Sequence, residues 1–192
     1  DNSKVQEAIF SSLFPKHPYG TQTVLGTQEN LKNPSITNIK NYYKQWYVPN
    51  NMAICMSGDL DPDATIALID KYFGGLKPNP ELPKLDLPKE APITQPVVKE
   101  VLGPDAESVA LAWRFPGVSD KDFEILQVVS QVLYNGKAGL IDLDLNQQQK
   151  VLNSYGYPMG LADYSALLLG GLPKQGQTLE EVKDLLLSEI KK

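Results

Sequence analysis

Between Ser35 and Gly75 the spacing of apolar residues changes period twice, and each change predicts the edge of an element. Ile36, Ile39, Tyr43, Trp46 and Tyr47 fall at helical spacing behind Ser35 or Thr37 as the cap. Pro49 pushes Val48 out of the helical region, and Asn50 and Asn51 accept turn geometry, so that helix stops there. Met52, Ile54 and Met56 then alternate with Ala53, Cys55 and Ser57, which predicts a short strand buried on both faces. After a break at Gly58-Asp59 the helical period returns. Asp61 is placed to cap the next helix, Pro62 to begin it, and Ile66, Ile69 and Phe73 to form its inner stripe before Gly74-Gly75.

The same reading covers the rest of the chain. Val5, Ala8, Ile9 and Leu13 predict a helix over residues 4–14, ended by Pro15 and followed by an aperiodic surface connection through residue 34. Residues 97–102 and 108–115 read as paired strands around Gly103-Pro104-Asp105, the second with Val109, Leu111, Trp113 and Phe115 alternating with Ala110, Ala112 and Arg114. A helix over 120–134 presents Phe123, Leu126, Val129 and Leu133, and a further helix is expected over 139–149. Tyr155, Tyr157, Met159 and Leu161 alternate and can pair with 164–170 as a hairpin. The last helix opens on a capping box of Thr178 and Glu181.

Six of the fifteen prolines lie between Pro78 and Pro96, a density that excludes helix and central strand. The expected organisation is therefore a block over 1–77, a semi-rigid proline-rich linker over 78–96 and a second block over 97–192. The fold class expected is α+β, an antiparallel sheet with helices on one face. The first block supplies one strand only, and one strand makes no sheet. With no initiator Met at Asp1, the expectation is an internal fragment whose first block completes its sheet with residues upstream.

Net charge −5 and an isoelectric point near 4.9 argue against a nucleic-acid partner, and no apolar run approaches the length of a transmembrane segment. The compartment stays open: periplasm or cell envelope, or cytoplasm, if the source is bacterial. Single Cys55 excludes an internal disulfide and is expected to be a buried, inert thiol. Asp59, Asp61 and Asp63 have the spacing of a calcium loop, but Ala64 stands where a Gly is required, so capping explains them better. His17, the only imidazole, is expected to be a loop hydrogen-bonder. Tyr42, Tyr43, Trp46 and Tyr47 are expected to pack in a core, and Asp142, Asp144, Glu180 and Glu181 to be solvated helix charge.

The pieces LFPKHPYG (Leu13 to Gly20), Leu25-Gly26, Glu29-Asn30, YYKQWYVPNNMAICMSGDLD and Lys71-Tyr72-Phe73-Gly74 occur in an order and spacing that resembles the pitrilysin/insulinase family of zinc metallopeptidases, the processing peptidases included. The resemblance implies metallopeptidase domain pieces: 1–77 as the C-terminal part of a zinc-bearing type of domain, and 97–192 as the start of the following non-catalytic domain. It further implies a parent chain that hydrolyses oligopeptides or unfolded segments with a zinc-activated water, the zinc held by an inverted His-x-x-Glu-His motif. That motif would lie upstream of Asp1, so no catalytic residue and no metal ligand is assigned in this chain, and its substrate-binding residues are left unknown. The fragment alone is expected to be no enzyme.

In the half facing the zinc, family members carry a Leu-Arg-x-x-x-x-Leu-x-Tyr pattern. Matching Leu145 and Val151 to its apolar positions puts Asn146 at the Arg and Asn153 at the Tyr, and neither can replace those donors. The partners implied are a peptide substrate of the parent and a second homologous half or subunit. The alternative reading within the family is a non-catalytic scaffold or partner subunit.

Overall fold

The computed structural model describes residues 2–192. In chain order its helices are α1 (Asn2–Leu13), α2 (Pro18–Thr21), α3 (Gln28–Lys32), α4 (Ile36–Trp46), α5 (Pro62–Phe73), α6 (Lys121–Leu133) and α7 (Leu179–Ile190). Its strands are β1 (Val109–Pro116), β2 (Asn153–Gly160) and β3 (Tyr164–Leu172). Contacts divide the chain into two compact units, one made of residues through Thr21 together with Lys89–Lys192, the other of Gln22–Pro88. No helix among the described residues is long and apolar enough to cross a membrane.

The first unit is an antiparallel sheet of order β1-β3-β2. β3 is central and buried along nearly its whole length because both of its edges are paired. The hairpin of β2 and β3 is the one the alternation predicts, with Gly160 opposite Ser165. β1 takes its partner from far along the chain, Leu111 opposite Leu169 and Trp113 opposite Leu167, so the expected pairing of 97–102 with 108–115 does not form. Residues 97–102 are instead irregular, and Val97, Val98 and Leu102 are exposed. The longer, leucine-rich β3 outcompetes the short local hairpin, since its cross-strand pairs bring Leu111 and Trp113 against Leu169 and Leu167.

Alternation along the strands sorts side chains to two faces. Leu167 and Leu169, with Val109, Leu111, Trp113 and Phe115, meet Leu126 and Leu133 of α6 and Val182 and Leu186 of α7 in the main core. On the other face Ala166 and Leu168, flanked by Ala112 and Met159, meet Leu13 and Phe14 at the end of α1. Ala110, Ala112 and Ala166 keep this second face shallow. Gly20 allows the turn after α1 to close, because a Cβ there would fall 2.2 Å from the Phe14 carbonyl oxygen. α6 is capped by Asp120, and α7 by the expected box, Thr178 Oγ1 accepting from the Glu181 amide and Glu181 accepting from the Thr178 amide. The helix expected over 139–149 is a short π-helical turn, Asp142–Asn146, whose Leu145 is fully buried.

In the second unit, α4 starts at Ser35 and α5 at Asp61 with Pro62 in its first turn, as their spacing predicts. Residues 52–57 are extended but pair with nothing among the described residues, so no strand forms, and Met52, Ile54, Met56 and Cys55 are exposed where burial was expected. The reason is physical: alternation makes a segment suited to a sheet, but only neighbouring strands satisfy its amides and cover its faces. Tyr42, Tyr43 and Tyr47 are exposed for the same reason, with Tyr43 and Tyr47 stacked at 4.7 Å between ring centroids, so the expected core packing is not found. The proline-rich stretch contains neither helix nor strand, as its composition requires. Its start is tied to the turn after α4, where Asn50 Nδ2 donates to the Asn79 carbonyl (2.8 Å) and the Asn79 amide donates to Asn50 Oδ1 (3.0 Å).

Candidate functional site

The densest polar constellation lies in the first unit, on the sheet face that α1 covers. Its residues come from four stretches: Leu13 to Tyr19, Glu90 and Ala91, Arg114 of β1, and Asp163-Tyr164 at the β2-β3 turn. α1 ends before Pro15, and the His-Pro-Tyr-Gly turn then folds back over Phe14. That places two backbone amides, of Lys16 and His17, side by side. Both donate to one oxygen of Glu90, Oε1, at 2.7 Å each. The Glu90 amide in turn donates to Tyr164 Oη at 2.8 Å.

Arg114 lies beneath. It shares its strand face with Ala110 and Ala112, so its side chain lies on the α1 face, where it donates to the carbonyl oxygens of Leu13 and Ala91. Its Nη1 stands 3.9 Å from the second Glu90 oxygen, and the guanidinium lies 5.6 Å from the centre of the Tyr164 ring. The Glu90 and Arg114 side chains are 1% and 9% exposed, so this is an ion pair withdrawn from water, with Glu90 Oε1 and both Arg114 Nη atoms also bonded to backbone. Burial of charge is tolerated on those terms.

His17 is 1% exposed. Its Nδ1 accepts from the Tyr19 amide at 3.3 Å, which leaves the ring proton on Nε2. Nε2 faces Asp163 Oδ2 at 3.6 Å, beyond a good hydrogen bond, while Tyr19 Oη donates to that same oxygen at 3.1 Å. The ring is held edge-on by Tyr19 and Tyr164, at 4.2 and 5.3 Å between centroids. The expectation of a hydrogen-bonding loop histidine is met, but in a buried setting rather than on the surface.

This arrangement holds chain segments together. Among the described residues no serine, threonine or cysteine side chain hydrogen-bonds the imidazole, Glu90 Oε1 is taken by two amides, and the Arg114 guanidinium donates to carbonyls. Among the described residues no three His, Cys, Asp or Glu side chains converge as a metal site would need.

The other residues singled out by sequence lie apart. Asp61 Oδ1 caps α5 through the Ala64 amide at 2.9 Å, and Asp63 lies in the first turn of that helix. Asn146 bridges the π-helical turn to β2: its Nδ2 donates to the Ser154 carbonyl and its Oδ1 accepts from the Ser154 amide, both at 2.8 Å, whereas Asn153 is exposed at the start of β2. Asp142 is not solvated as expected. It is buried, its Oδ2 accepting the amides of Asn135 and Gly139, which closes the loop after α6. Asp144 pairs with Lys192, whose hydrogen bond holds the carboxyl below its usual range. Tyr155 is pushed up by burial, with Tyr157 beside it adding to the effect.

Sequence reasoning did not find Glu90, Arg114, Asp163 or Tyr164. One signal was present: Arg114 is the chain's only arginine and interrupts an otherwise apolar strand at a position facing alanines. An isolated guanidinium there demands an anion from elsewhere in the chain.

Comparison with known proteins places this geometry in context. Residues 35–192 match the family model described as the peptidase M16 inactive domain. Zinc protease PqqE of Helicobacter pylori is 27% identical over 192 residues, which covers 96% of this chain and 43% of that protein. The probable mitochondrial-processing peptidase subunit beta of Schizosaccharomyces pombe is 29% identical over 85 residues, 44% of this chain and 18% of that protein. Among solved structures, a protease from Helicobacter pylori superposes with a TM-score of 0.81 at 23% identity, covering all of this chain and 47% of its own. The first half of the periplasmic protease PqqL from Escherichia coli superposes with a TM-score of 0.63 at 18% identity, covering 98% of this chain and 42% of its own. The chain thus spans less than half the length of the relatives it matches most fully.

Proposed function

Since this chain belongs to the peptidase M16 family, we propose that it is the non-catalytic middle of a zinc-dependent endopeptidase that cuts oligopeptides or unfolded segments, the zinc motif lying elsewhere in the whole protein. On this reading 1–77 closes the zinc-bearing type of domain, 78–96 links, and 97–192 begins the domain that follows. The observation that carries it is the use made of the polar side chains: the Glu90 carboxylate, the Arg114 guanidinium and His17 Nδ1 are each engaged in holding backbone, and the family model that fits is the inactive domain.

The described residues do not fit a zinc ion. The one imidazole has Nδ1 committed to the Tyr19 amide and a single carboxylate near Nε2, and two donors fall short of the three or four that zinc takes. No step of peptide hydrolysis is therefore assigned to them. What this chain contributes is shape: the leucine-rich β3 and the helices on it form a rigid wall of a substrate chamber, whose other wall is a second homologous half or subunit.

A second reading, a silent scaffold subunit, is favoured by one observation. A chain of complex III2 from Candida albicans superposes with a TM-score of 0.65 at 17% identity, so the fold also occurs in an assembly not named as a protease. Metal analysis and cleavage of a quenched-fluorescence peptide distinguish the readings. The enzyme reading expects this chain alone to hold no stoichiometric zinc and cleave nothing, and the whole protein to hold zinc and cleave until a chelator is added. A whole protein that is inert and zinc-free supports the scaffold. Stoichiometric zinc with chelator-sensitive cleavage by this chain alone overturns both.

A further inference from the structure

The buried ion pair has a position that the proposed function does not use. The chain leaves the first unit after Thr21 and returns to it at Lys89. Lys16 and His17 stand just before the exit, Glu90 just after the return, and the carboxylate of Glu90 binds both of those amides. The two connections are thus fastened to each other within the first unit, and Arg114 anchors both to the sheet by donating to Leu13 on one and Ala91 on the other.

We infer that Glu90 and Arg114 form a releasable clasp, in which opening of the Glu90 contacts frees α1, the His-Pro-Tyr-Gly turn and residues 89–91 together while the main core stays folded.

Three observations make this a separate opening unit. The apolar cluster under α1 is small, Leu13, Phe14, Ala166 and Leu168 being its buried members, and it is distinct from the larger core on the opposite face. Small satellite clusters of this kind open at lower free energy than a main core. The segments joined by the clasp are also far apart in sequence, so nothing local restores their contact once it is lost. Finally, the contacts converge on one side chain. The Glu90 carboxylate accepts two amides and faces Arg114, so its removal undoes three contacts at once, while the main-chain amide of Glu90 holds Tyr164 separately. The inference stands independently of where zinc binds.

Hydrogen exchange on the whole protein, read at single amides, tests it. In Glu90→Ala the amides of Lys16 and His17 should exchange about tenfold faster or more, because each loses a charge-assisted bond. Those of Ala166 to Leu169 in β3 should accelerate by a smaller factor, because the main core does not open with the clasp. Tyr164→Phe, which removes only the acceptor of the Glu90 amide and retains the ring, should accelerate the Glu90 amide and leave β3 unchanged. Unchanged exchange at Lys16 and His17 in Glu90→Ala overturns the clasp. So does acceleration of β3 by the same factor in Tyr164→Phe, since α1 and the core would then open as one.

Discussion

Two stretches of this chain carry nearly the same message and meet different fates. Met52-Ala-Ile-Cys-Met-Ser57 and Val109-Ala-Leu-Ala-Trp-Arg-Phe115 both alternate large apolar residues with small ones. The second is a strand because β3 lies beside it, Leu169 opposite Leu111, and α6 and α7 cover its large side chains. The first has no neighbour among the described residues, and Met52, Ile54 and Met56 are left exposed. Pattern specifies what a segment can do in a sheet. A partner decides whether it does so.

The largest effect is expected where the paired region also buries charge. Arg114→Ala leaves Glu90 enclosed without its counter-ion, and about 3–5 kcal/mol should be lost from the first unit. Each unit holds one tryptophan, Trp113 and Trp46, so urea unfolding followed by Trp113 emission in a Trp46→Phe background reads the first unit by itself. Replacing both members of the pair by apolar residues of similar size should cost much less than replacing Arg114 alone.

That charge pair also marks the limit of what the sequence discloses. Local signals were legible: Asp61 with Pro62 at the start of α5, Thr178 with Glu181 at the start of α7, and the β2-β3 hairpin all depend on residues close in the chain. Glu90 and Arg114 are brought together across the sheet, and nothing beside either one announces the other. Asp142 was misread for a related reason, because it stands on a helical turn with the look of a solvated face, yet its partners are amides at the other end of a loop. Cys55 was misread because burial was inferred from alternation before any neighbouring strand was known to be there.

Leu169→Ala should cost about 2–5 kcal/mol in the same Trp113 assay, since Leu169 is 1% exposed at the centre of the paired sheet. The corresponding change in the unpaired stretch, Ile54→Ala, should move the stability of the second unit by under about 0.5 kcal/mol, because Ile54 is already 45% exposed. A large loss at Ile54 would mean that this stretch is covered in solution.

A pH effect is also expected at α7. Hydrogen bonds from the backbone and hydroxyl of Thr178 hold the Glu181 carboxyl below its usual range. A carboxyl lowered in the folded state contributes stability above its unfolded value and loses it as the pH falls through the folded one. Melting temperature should therefore fall between about pH 5 and pH 3 more steeply in the wild type than in Glu181→Gln, which has no proton to take up. Equal slopes would remove the capping box from the account of α7.

Amide hydrogen exchange in this chain compares the two stretches directly. The account predicts that the amides of residues 53–57 exchange at rates close to those of an unstructured peptide, while those of Ser165 to Gly170 remain protected by their ladders on both sides. Protection at 53–57 matching that of β3 would contradict it, because those amides would then have found the partner that the described residues do not supply.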